Sequence, residues 1–189
     1  MENFTARHGA TRITVHEGAL RGQAEDGSTF TARSPLGLAV AEPTTAALVE
    51  ALTPPASWGV LLVRKGGFAV ARLAREQLVE HKIGQRHVQG RTKAGGQSQQ
   101  RFARRRDNQA REAYRAAAGH AERILTGLDG PLVTGGDEAA LAEVLASRPL
   151  AGLDLRPTPL PVPDPRRAVV DDVVARSAQT WVEVTNAGS

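Results

Sequence analysis

The run Gly59-Val60-Leu61-Leu62-Val63 constrains this chain more than any other stretch. It is apolar without alternation and is closed by the turn residues Lys65-Gly66-Gly67. A strand with no polar face is buried on both sides, so this one is expected at the centre of a sheet. The turn sends the chain into a second strand over 68–73, and a third extended segment is expected near 76–83.

The flanks carry weaker signals. Residues 8–34 read as a β-rich opening: Thr11-Arg12-Ile13-Thr14-Val15 alternates, and Asp26-Gly27 suits a hairpin turn before Thr29-Phe30-Thr31. Pro43 suits the start of a short helix over 46–52, which Pro54-Pro55 must stop. Residues 84–100 hold Gly84, Gly90, Gly95 and Gly96 among polar side chains, the signature of a long exposed loop. A long helix is expected from about Ser98 to Leu125. Phe102, Ala110, Ala113, Ala117, Ala121 and Leu125 form its packing stripe, Ser98 caps its start, and Gly127, Gly130 and Pro131 end it. A strand over 132–134, a Gly135-Gly136 turn, a helix over 137–146 capped by Asp137 and a strand over 150–155 follow. Prolines 157, 159, 161, 163 and 165 make an extended linker, and a helix over 167–178 and a strand over 180–185 close the chain. Trp58 and Trp181 are expected in the core.

This order of elements reads as an α/β (α+β) chain with a mixed sheet. Three segments are expected. Residues 1–56 are a β-rich N-terminal extension with a short helix, and 57–155 are the main domain, which carries the long glycine-containing loop. Residues 156–189 are the Pro-rich linker with a helix and strand that pack on the same domain. The hydrophobic share of 41% and charged share of 23% are those of an ordinary globular protein, and 4% aromatics leaves Leu, Val and Ala to build the core. The absence of cysteine excludes disulfides and thiolate metal sites. His8, His16 and His120 have no carboxylates at metal-ligand spacing, so neither a metal nor a cofactor is expected. Met1-Glu2-Asn3-Phe4 does not open a signal peptide, and no apolar run approaches the roughly 20 residues of a membrane span. A cytoplasmic monomer without membrane contact is expected.

Charge distribution says more than the net charge of +4. No acidic residue stands between Glu80 and Asp107, while Lys82, Arg86, Arg91, Lys93, Arg101, Arg104, Arg105 and Arg106 do, with His81 and His87. Arginine forks suit bidentate phosphate contacts, and a helix N-terminus adds partial positive charge beside them. Such a segment is expected to bind nucleic acid with strong salt dependence. A solvated basic face without a partner is the alternative, but it needs neither the glycines nor the glutamines of this interval. Gly95-Gly96 permits close backbone approach to RNA or to a reacting ester. Gln97 adds a neutral amide, donor and acceptor at once, which RNA phosphates do not repel as they would a carboxylate.

The run Gly95-Gly96-Gln97-Ser98-Gln99-Gln100-Arg101-Phe102-Ala103-Arg104-Arg105-Arg106 closely resembles the catalytic loop and following helix of the eukaryotic and archaeal class I peptide-chain release factor. In that family Gly-Gly-Gln-Ser is followed, after two variable residues, by Arg-Phe-Ala-Arg. Residues 58–73 resemble its first hairpin, and Leu132-Val133-Thr134-Gly135-Gly136 the strand and glycine turn after its long helix. The stretch ahead of the match is too short for a codon-reading domain. The chain therefore resembles the stop-codon-independent branch, the Vms-like release factors, and most of all their actinobacterial members. The resemblance implies a ribonuclease-H-like fold of the translational-machinery type, with a long helix after the catalytic loop. It also implies peptidyl-tRNA hydrolysis on stalled or split large ribosomal subunits. The expected partners are ribosomal RNA at the peptidyl transferase centre and the acceptor end of peptidyl-tRNA.

One ambiguity stays open. The Vms-like branch is described by Gly-x-x-Gln, which Gly96-Gln97-Ser98-Gln99 satisfies, whereas the release-factor register makes Gln97 the acting residue. Gln97 is preferred because Ser98 and Arg101-Phe102-Ala103-Arg104 then fall in register; Gln99 is the alternative. The competing functions are a non-catalytic ribosome- or RNA-binding module, which needs only the arginines, and a nuclease of tRNA ends.

Overall fold

The computed structural model describes residues 1–85, 96–156, 159–177 and 179–188, with the backbone alone over 96–108. The chain divides into two compact units, Met1–Pro54 with Val174–Ser189, and Pro55–Val173.

The second unit grows from the apolar run. It is strand β4 (Trp58–Arg64), in which Val60, Leu61, Leu62 and Val63 are fully buried. β4 pairs antiparallel with β5 (Gly67–Ala74) across the expected glycine turn, and β5 pairs antiparallel with β6 (Gln77–Gln85). The chain then crosses over through α3 (Gly96–Leu125) to β7 (Pro131–Gly136), which lies parallel to β4. A helical crossover is what a parallel neighbour requires. α4 (Glu138–Leu145) leads on to the short β8 (Asp154–Leu155), parallel to β7. The sheet order is β6-β5-β4-β7-β8, a mixed sheet with a long helix, as expected.

One face of this sheet packs on the helices. Leu61, Val63, Phe68 and Val70 form a core with Tyr114, Ala117, Ala121, Ile124 and Leu125 of α3 and Ala140, Leu141 and Val144 of α4. The alanines bring α3 close to the sheet, and the expected stripe is buried at 113, 117, 121 and 125 and partly buried at Ala110, while the Phe102 side chain lies outside the described residues. Asp137 caps α4 by accepting the Ala140 N–H at 3.1 Å.

Three expectations fail in this unit. α3 begins at Gly96, so Ser98 sits inside the first turn and does not cap it. Residues Arg148–Leu150 form a 3-10 turn with Pro149 at its start, and Gly152 takes φ 91°, so only Asp154–Leu155 remains of the strand expected over 150–155. Among its described residues, the proline stretch is no free linker. Leu160 N–H donates to the Thr134 carbonyl (2.8 Å), and the Leu160 carbonyl accepts from Gly136 N–H (3.0 Å). Proline cannot donate to a ladder, so such a segment pairs only at a sheet edge.

The first unit is an antiparallel sheet in the order β1-β2-β3-β9. Its strands are β1 (Thr11–His16), β2 (Ala19–Ala24), β3 (Thr29–Arg33) and β9 (Trp181–Thr185). Leu20, Phe30 and Ala32 form its core with Val40 and with Leu48 and Ala51 of α2 (Thr45–Leu52). A short helix, α1 (Glu2–His8), was not legible in the sequence; it sets Phe4 edge-on to Phe30 at 5.0 Å. The terminal strand β9 hydrogen-bonds to β3, not to the 57–155 domain on which it was expected. The helix expected over 167–178 is α5 (Arg167–Ser177).

Candidate functional site

The candidate residues occupy the end of β6, the head of α3 and the segment between them. Cross-strand pairing sets the geometry of β6. Glu80 stands opposite Arg72, Lys82 opposite Val70 and Gly84 opposite Phe68, so these three β6 residues share the face that meets α3. His81 stands opposite Ala71, on the other face. Lys82 is exposed.

Four contacts bind α3 to this face. Glu80 forms an ion pair with Arg123. Arg72 donates from Nη1 and Nη2 to the carbonyls of Thr126 (3.4 Å) and Gly127 (3.0 Å), covering the negative end of the helix. His120 stacks on Phe68, with ring centroids 5.6 Å apart and planes 26° from parallel. The Phe68 ring also lies over Gly84, where any Cβ would collide with it. Burial, followed by the charges of Lys82 and Arg123, holds the His120 imidazole below its usual range. None of these contacts has a local sequence signal, because each joins residues far apart in the chain.

The core contacts of α3 begin at Ala110 among the described residues. Gln97 lies about 20 Å of helix rise before it. Gly96 and Gln97 therefore stand at the head of a helix whose other end is fixed to the sheet. That first turn holds no acidic residue, so the helix itself supplies no negative charge to offset the positive end of its macrodipole.

Gly96, Gln97 and the alternative Gln99 lie on the backbone of the first turns of α3, and Arg101, Arg104, Arg105 and Arg106 follow on the same helix. Gly95, Arg86, His87, Arg91 and Lys93 lie outside the described residues.

Residues 56–183 match the family model described as the Actinobacteria/chloroflexi VLRF1 release factor. The chain belongs to this release-factor family. The match takes in β4 to β7, the motif, the whole of α3 and the first three residues of β9. No curated protein matches the chain. Membership assigns a release-factor role in translation and implies interaction with the ribosome. Among the described residues, no helix of this release factor is long and apolar enough to cross a membrane.

Proposed function

We propose that this release factor is a peptidyl-tRNA hydrolase that acts without a stop codon, on stalled or split large ribosomal subunits. The observation that carries the reading is the sequence motif Gly95-Gly96-Gln97, whose Gly96 and Gln97 open α3, within a chain that matches a release-factor family over 56–183.

The bond to be broken joins the carbonyl carbon of the nascent peptide to a ribose oxygen of the terminal tRNA nucleotide. Water attacks the carbonyl carbon, negative charge develops on the carbonyl oxygen, and the C–O bond to the ribose breaks. The peptide leaves as a carboxylate and the tRNA regains its hydroxyl. Arg101, Arg104, Arg105 and Arg106, with Lys82, Arg86, His87, Arg91 and Lys93, dock the segment against ribosomal RNA and the tRNA acceptor end. Gly95 and Gly96 permit the close approach. The Gln97 amide orients the water, and its backbone N–H, at the positive end of the helix, stabilises the oxyanion. Residues two apart in a helix are separated by about 200° around its axis, so one reacting centre uses Gln97 or Gln99 and not both.

The test is incubation of the protein with large subunits carrying labelled peptidyl-tRNA, followed by mapping of the tRNA 3′ end. Ester hydrolysis frees the peptide and leaves the terminal nucleotide intact. A shortened tRNA would identify a nuclease, and binding without release would identify a non-catalytic module.

A further inference from the structure

The sequence places Trp181 in the core, yet it is 72% exposed. Its surroundings give that exposure a meaning. In the sheet β1-β2-β3-β9, Arg33 stands directly opposite Trp181, Arg21 opposite Thr31, and Thr31 opposite Glu183. Thr14 stands opposite Arg21, and Arg12 opposite Gln23. Following these pairs across the sheet, Arg12, Arg21 and Arg33 lie on one diagonal that ends at Trp181, and they share the face turned away from Leu20, Phe30 and Ala32. Diagonal neighbours in antiparallel strands are about 7–8 Å apart. All three arginines are exposed, and none is ion-paired among the described residues. Thr14, Gln23, Thr29, Thr31, Thr185 and His16 complete the open part of the face, Ala19 between His16 and Arg33 is buried, and the four strands contain a single acid, Glu183.

We infer that this sheet face binds single-stranded RNA, with Trp181 as the stacking platform for a base and Arg12, Arg21 and Arg33 as the phosphate contacts. The row of unpaired guanidiniums is complementary to a polyanion. An uncovered indole stacks on any base, but only on one that is not already stacked inside a duplex. The hydroxyls and the Gln23 amide can meet ribose 2′-hydroxyls and base edges. A duplex would not use Trp181, and an acidic peptide would use the arginines alone. The face belongs to the first unit and contains none of the residues assigned to hydrolysis. The inference therefore stands whether or not the Gly-Gly-Gln motif acts on peptidyl-tRNA.

The test uses the full chain with Arg104→Glu and Arg105→Glu, so that the basic segment does not dominate binding. The probes are fluorescein-labelled oligouridine of about 12 nucleotides, within the range of single-strand site sizes, and a duplex RNA of equal length. Anisotropy reads affinity. Quenching of tryptophan emission reads the face itself, because the only other tryptophan, Trp58, is buried. Oligouridine is expected to bind in a salt-dependent way and to quench the emission. Trp181→Ala is expected to weaken binding about tenfold, and Arg21→Glu with Arg33→Glu to abolish it. Glu183→Gln removes the one like charge facing the phosphates and is expected to tighten binding about threefold, a gain that a misfolded variant does not give. Unchanged affinity in the Trp181 and arginine variants, absence of quenching, or duplex binding as tight as that of the single strand would overturn the inference.

Discussion

His120 shows how a single side chain ties the site to stability. It stacks on Phe68 between α3 and β5, and burial, then Lys82 and Arg123, depress its pKa below 6.5. A group whose folded-state pKa is depressed contributes stability that is intact above the unfolded value and is lost as pH falls through the folded one. The free energy of unfolding is therefore expected to decline as pH drops below about 6.5. His120→Phe, which keeps an aromatic stack, is expected to remove that part of the slope; urea midpoints measured across pH 5 to 7.5 check it. Asp26, held low by the Ser28 N–H and then by His8, titrates below 3.8 and so does not enter that window. The sequence showed the Gly-Gly-Gln motif because its chemistry is local. It could not show His120's partners, which other elements supply, and it misplaced Trp181 because exposure depends on what covers the strand.

At the scale of elements, α3 carries the account. Its stripe of alanines was legible because a period of 3–4 residues survives in the sequence, and its start was missed by two residues because Gly-Gly reads as loop. Ile124 and Leu125 fix its last turn in the core, so Ile124→Ala or Leu125→Ala is expected to cost about 2–5 kcal/mol. Chemical denaturation measures that loss directly. Gly119 gives the opposite outcome. It lies inside α3, where an added Cβ meets nothing within 4 Å. Gly119→Ala is expected to stabilise the protein by about 0.5–1 kcal/mol, read as a higher melting temperature. The strand expected over 150–155 failed for a local reason, a proline-started turn and a positive-φ glycine inside it. The proline stretch beside β7 was misread as a linker because edge pairing leaves no periodic mark.

The whole molecule consists of two units, and the first is closed by both ends of the chain. β9 adds to β3, and the Ala187 N–H donates to Ser28 Oγ at 2.9 Å. No local pattern announces a pairing between segments so far apart. Removal of 178–189 is expected to expose the β3 amides to hydrogen exchange while leaving β4 and β5 protected, which mass spectrometry resolves by peptide. Within the second unit, one end of α3 is fixed in the core and Gln97 lies in its first turn, the arrangement by which, on the proposed function, Gln97 is presented to an RNA-built centre. That claim is tested most directly by single-turnover peptide release on isolated large subunits carrying peptidyl-tRNA. Gln97→Ala is expected to slow release by about 10²–10³-fold, the loss typical of removing one transition-state donor, with Gln99→Ala close to wild type. Full release by the Gln97→Ala, Gln99→Ala double variant would contradict the account.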